Sequence, residues 1–143
     1  MITRNLFLSI LTVQLLSVSA SAEQETWKCT FKGRETHVES KPEVKEEMEG
    51  DLTYVGAGNS WKLEGKTKTA TLSGTCEDSK CMIEEKVVSG TFADSVAYWE
   101  GTYVIDSLSE TQTTETLQGT WGHSPDDRKS GGTWDGKNAC TKK

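Results

Sequence analysis

His123, Ser124, Asp126 and Asp127 stand in one short polar stretch, GHSPDDRKSG (122–131), and bring together a base, a hydroxyl and two carboxylates. A nucleophilic triad would need the imidazole within hydrogen-bond reach of the hydroxyl and a third group orienting it on a rigid frame. Near-adjacent residues on a connecting loop rarely meet that geometry, and no oxyanion-hole sequence accompanies them. His123 with Asp126 and Asp127 could hold a divalent cation weakly, but the D-x-D-x-D spacing of a calcium loop is absent. Arg128 and Lys129 beside the acids make the stretch a self-paired, solvated tip. The other histidine, His37 in GRETHVES (33–40), has no second ligand at a metal-site spacing and reads as a surface or lightly packed side chain. The expectation is a protein that is not an enzyme, with no catalytic residue, metal or cofactor.

The elements flanking that stretch repeat one word. Gly119-Thr120-Trp121 precedes it and Gly132-Thr133-Trp134 follows it. Gly90-Thr91-Phe92 and Gly101-Thr102-Tyr103 are further copies, with Gly74-Thr75-Cys76 a variant. Leu72-x-Gly74-x-Cys76, Val88-x-Gly90-x-Phe92, Trp99-x-Gly101-x-Tyr103 and Leu117-x-Gly119-x-Trp121 each alternate with polar residues, as half-buried strands do. Glycine at the middle of several inward faces lets a sheet coil tightly and close. Trp27-x-Cys29-x-Phe31, Leu52-x-Tyr54 and Trp61-x-Leu63-x-Gly65 continue the scheme upstream. VGAGNS (55–60), Asp94-Ser95 and 106–112 read as turns, and 122–131 as a hairpin connection. The fold class is all-β: a small antiparallel up-and-down barrel, or a flattened two-sheet version, of about eight or nine strands. SKPEVKEEMEG (40–50) breaks the pattern with a Ser40/Glu43 capping box and Val44 and Met48 one helical face apart. It is read as a short helix over 41–49 or an acidic loop.

Residues 1–22 read as a cleaved signal peptide: Arg4, the apolar run LFLSILTVQLLSV (6–18), then Ala20-Ser21-Ala22. The run is too short for a spanning helix and no second one follows, so no membrane anchor is expected. Residues 23–143 are then a single exported domain, periplasmic or extracellular, expected as a monomer. The leader holds one of the 16 basic residues and none of the 22 acidic ones, leaving residues 23–143 a formal charge of −7. That balance, with no basic stripe, argues against nucleic acid. Cysteines 29, 76, 81 and 140 form an even set in an oxidising compartment. Cys76 and Cys81 bracket the polar turn EDSK and Cys29 and Cys140 lie near the two ends, favouring the pairs 76–81 and 29–140. A four-cysteine zinc site would need paired C-x2-C, which is absent.

The Gly-Thr-Trp and Gly-Thr-Tyr words resemble strand motifs of avidin-type barrels; the resemblance is confined to the triplets and carries no biotin-binding residue with it. A cysteine near each end of an acidic exported β domain is similar to small periplasmic inhibitors of lysozyme. Two functions follow from the residues. The acid run EVKEEMEGD (43–51), with Glu46, Glu47 and Glu49, suits docking of a basic exported protein, such as a hydrolase that the chain would inhibit. The alternative is a carrier of a small apolar ligand, its barrel interior lined by Trp61, Trp99, Tyr103, Trp121 and Trp134.

Overall fold

The computed structural model describes residues 23–38 and 44–143. The signal-peptide reading of 1–22 and the first part of the expected helix, 41–43, lie outside the described residues. Eight strands run in chain order: β1 Glu25–His37, β2 Val44–Ala57, β3 Ser60–Thr67, β4 Ala70–Glu77, β5 Lys80–Val87, β6 Val96–Leu108, β7 Gln112–Gly122 and β8 Gly132–Lys142. Each pairs antiparallel with its chain neighbours, and β1 pairs with β8, so the sheet closes into an up-and-down barrel. Closure leaves no unpaired strand edge among them. No helix long and apolar enough to cross a membrane occurs among the described residues.

All the glycine words but the one at Gly90 lie on strands, as their spacing predicts. Gly101 and Gly119 are direct cross-strand partners, and a Cβ on Gly101 would sit 2.5 Å from Cζ2 of Trp134. The bare backbone is the bed on which that indole lies. Both expected disulfides are present, each joining directly opposed residues: Cys29–Cys140 across the β1–β8 seam, and Cys76–Cys81 across the β4–β5 hairpin. The second holds a two-residue turn in which Asp78 and Ser79 both have positive φ, 50° and 70°. That is the turn geometry matching strand twist, and it is costly for residues other than glycine.

Two expectations are corrected. Residues 44–49 are not helical: β2 starts at Val44 and pairs with β1 from His37 down to Glu25. Val44 and Met48 are four apart, and four residues is one helical turn but also two strand repeats. The cross-strand partner decided between them, because a helix would have left β1 an open edge. The Gly90 word is not a strand either. Gly90 has φ +90°, the segment 88–95 is a loop closed by Val87 N–H donating to Ser95 O (3.0 Å), and Val88 and Phe92 are exposed. The strand of that region is β5, whose inward set is Cys81, Ile83, Glu85 and Val87.

The inward faces fill the barrel. Leu52, Tyr54, Leu63, Ile83, Trp99, Leu117, Trp121 and Trp134 are buried together with both cystines. The cavity left among Leu52, Leu72, Ile83, Trp99, Leu117 and Trp134 is about 50 Å³. That is room for a handful of water molecules, not for an organic ligand.

Candidate functional site

A filled interior moves the binding question to the two barrel mouths. One carries the longer connections β1–β2, β5–β6 and β7–β8. The other carries the short turns after β2, β4 and β6 together with both ends of the barrel's chain.

At the loop mouth the tryptophans form a plug. Trp99 stacks on Trp121 (centroids 5.9 Å) and meets Trp134 edge-on (5.7 Å). Trp121 Nε1 donates to Thr36 O (3.1 Å), and Trp134 Nε1 divides between Thr120 O (3.1 Å) and Glu100 O (3.2 Å). Trp99 Nε1 is buried with no hydrogen-bond partner; it faces Glu85 closely enough to favour the charged carboxylate, outside full hydrogen-bond geometry. Above the plug sit Glu35 and His37 on one face of β1, Glu46 directly across from Glu35 on β2, and Glu85 on β5. His37 Nε2 lies 3.5 Å from Glu35 Oε1 and 3.6 Å from Glu46 Oε2, and its ring stands edge-on against Trp121 at 5.0 Å. Burial, with the Glu85 and Glu46 carboxylates nearby, pushes Glu35 up to about 8. Burial also raises Glu85, while the Trp99 N–H opposes that shift. Among the described side chains no lysine or arginine pairs with any of the three acids.

The loop 123–131 is built as a turn. Asp127 Oδ1 accepts from Lys129 N–H (3.2 Å) and Ser130 N–H (3.0 Å), its Oδ2 accepts from the Ser130 hydroxyl, and Ser124 Oγ accepts from Asp127 N–H (3.1 Å). Those hydrogen bonds to Ser130 and Lys129 hold the Asp127 carboxyl below the usual carboxylate range. His123 packs against Trp121 (5.4 Å), and Arg128 donates to Trp99 O (3.1 Å) while lying over the Tyr98 ring. The loop's polar groups are engaged in shaping it.

The opposite mouth is an open cleft of about 620 Å³ between Trp27, Trp61, Tyr103, Ile105 and Leu108. Tyr54, Thr113 and Glu115 line it deeper, beside Cys76 and Cys140. Trp61 Nε1 is tied to Gly58 O (2.9 Å) and Trp27 Nε1 to Glu25 Oε2 (3.2 Å), so both rings are oriented before any ligand arrives. Behind the wall, Asn138 is 1% exposed; its Nδ2 donates to Tyr54 Oη (3.0 Å) and Glu115 Oε1 (3.3 Å), and its Oδ1 is without a partner. Burial raises Glu115 and, with Glu115 beside them, Tyr54 and Tyr103.

The residues singled out from sequence therefore divide. Trp99, Trp121 and Trp134 come together as the buried plug, whereas Trp61 and Tyr103 stand at the far mouth. The acid run does not make one face, because successive strand residues point oppositely. Glu46 joins the loop mouth; Glu47, opposite Arg34, and Glu49, 3.9 Å from Lys32, point outward. Sequence reasoning missed Glu35, Glu85, Glu115 and Asn138, and it set His37 aside. The signal was the alternation itself: Glu115 continues Leu117-x-Gly119-x-Trp121 upstream by two, and Asn138 falls between Gly136 and Cys140 on the inward face of β8. Glu85 escapes because the Gly90 word points to residues 88–92, while the strand is β5 before them. No family model, curated protein or solved structure matches this chain.

Proposed function

We propose that the chain is an exported, non-catalytic binding protein that holds a small apolar molecule in the aromatic cleft at the disulfide-stapled mouth. The cleft carries this reading. Its volume of about 620 Å³ falls in the range of small-ligand sites, roughly 300–1,000 Å³. Its walls include pre-oriented aromatic rings, and among its polar groups Tyr54 and Glu115 are joined through Asn138 behind them. The ligand would sit in the mouth, since the interior cavity of about 50 Å³ has no room for it. The two disulfides agree with an oxidising compartment. The direct experiment is native mass spectrometry of the protein exported from its own host, paired with titration of N-phenyl-1-naphthylamine as an apolar fluorescent probe. A reproducible adduct of a few hundred daltons and saturable probe binding, both lost in Trp61→Ala, are expected. A bare chain with no saturable probe binding, or binding indifferent to Trp61→Ala, overturns the reading.

A second reading rests on a different observation. Val38, Val88 and Phe92 are exposed (62%, 57% and 71%) on the connections of the loop mouth, around its acids. An apolar rim about an acidic centre suits a basic protein partner, for instance a hydrolase that the chain would inhibit. Salt-sensitive capture of lysozyme, weakened by Phe92→Ala, is its test; lysozyme ignored at low salt counts against it.

A further inference from the structure

We propose that Glu35, His37 and Glu46 form a binding site for a divalent cation of the zinc class at the loop mouth. The ligands come from paired strands: Glu35 and His37 are two apart and share a face of β1, and Glu46 is the cross-strand partner of Glu35. Their donor atoms lie within 4.8 Å of one another. Nitrogen and oxygen donors bound tetrahedrally at 2.0–2.2 Å sit on the order of 3.3–3.6 Å apart. His37 Nε2 is 3.5 Å from Glu35 Oε1 and 3.6 Å from Glu46 Oε2, so the two edges that meet at the imidazole already have that length, and the Glu35–Glu46 edge lies within 4.8 Å.

Among the described side chains no lysine or arginine neutralises this cluster. His37 Nε2 is shielded from solvent and makes no hydrogen bond. Glu35, with a side chain 15% exposed, faces Glu46 directly across the ladder, and like charges so placed repel. Glu85 adds a third carboxylate whose charge is felt at Glu35. The neighbouring Trp99 is 5% exposed, and its N–H, the one unpartnered indole donor of the plug, is turned toward Glu85, a group able to hold that carboxylate beside the metal ligands. One imidazole with carboxylates suits zinc or its transition-metal neighbours, whereas calcium asks for six to eight oxygens. The inference is independent of the ligand proposed for the other mouth.

The test is calorimetric titration of the chelator-treated chain with Zn²⁺, with Co²⁺ absorption as a second readout. Because the His37 ring stands 5.0 Å from Trp121, quenching of tryptophan fluorescence by Co²⁺ gives a third. One ion per chain is expected, with micromolar or tighter affinity and a tetrahedral Co²⁺ band. His37→Ala and Glu46→Gln should each weaken binding by at least the order of 10- to 100-fold that loss of an outer-shell partner alone causes. His123→Ala should leave it unchanged. Glu46→Gln keeps the shape of the mouth, so the test survives if His37→Ala fails to fold. Absence of saturable Zn²⁺ binding, binding that survives both substitutions, or Ca²⁺ binding in preference to Zn²⁺ overturns the proposal.

Discussion

The two mouths of this barrel are made from the same repeated strand and finished in opposite ways. The cleft mouth is fixed covalently: Cys29–Cys140 and Cys76–Cys81 both lie at that end, and its indole N–H groups have acceptors. The loop mouth has no covalent tie. It is closed by three packed indoles, and it holds two of the three buried polar atoms without partners among the described residues, His37 Nε2 and Trp99 Nε1. Rigidity at one end and unmet polar demand at the other are what support the two different proposals made for these mouths.

The comparison can be broken first at the staples. Cys29→Ser with Cys140→Ser opens a ring with a sequence separation of 111 residues. Loop-closure entropy sets the loss at about 4–5 kcal/mol. The same change at Cys76 and Cys81, only five residues apart, should cost about 2 kcal/mol. Urea midpoints check both. Amide exchange should then accelerate around Trp27 and Cys140 and stay slow at Trp121; uniform acceleration would mean that the ends are not separable. Gly101→Val probes the plug. Its added atoms meet the Trp134 ring and Gln118 O, so a loss of about 1–3 kcal/mol and a changed near-ultraviolet dichroism are expected. An unaltered midpoint would mean that the indole does not rest on bare backbone.

Two smaller effects sharpen the contrast. Burial pushes the Glu115 carboxyl above its ordinary 4.5, so above that pH the folded chain keeps a proton that the unfolded chain releases. Stability therefore falls as pH rises from 4.5 through the raised value. Glu115→Gln keeps the acceptor for Asn138 while removing the titration; its melting temperature at neutral pH should rise and the fall with pH should flatten. A profile identical to the parent would show that Glu115 carries no buried charge. Trp99→Phe removes the unpartnered N–H but also part of a buried ring packed on Trp121 and Trp134, and a loss of about 1–2 kcal/mol is expected. A loss well beyond that by thermal melting would mean that Glu85 accepts a hydrogen bond from the indole.

Much of this was determined by the amino-acid sequence alone. Alternation at period two marked the strands carrying Trp27, Leu52, Leu63, Leu72, Trp99 and Leu117, and an even cysteine count in a chain read as exported pointed to both disulfides. The barrel followed from repeated inward glycines. What the tertiary structure decided is everything that depends on a partner strand. Val44 and Met48 fit two periods, and only pairing with β1 chose the strand. Gly90 carried the strand word, but its positive φ put it in a loop, which moved Glu85 to the mouth. Period two tells which face a residue occupies, not which residue stands across from it. His37 therefore looked solitary until register set Glu46 opposite Glu35, and Trp61, Trp99, Tyr103, Trp121 and Trp134 looked like one lining until the strand directions sent Trp61 and Tyr103 to the other end.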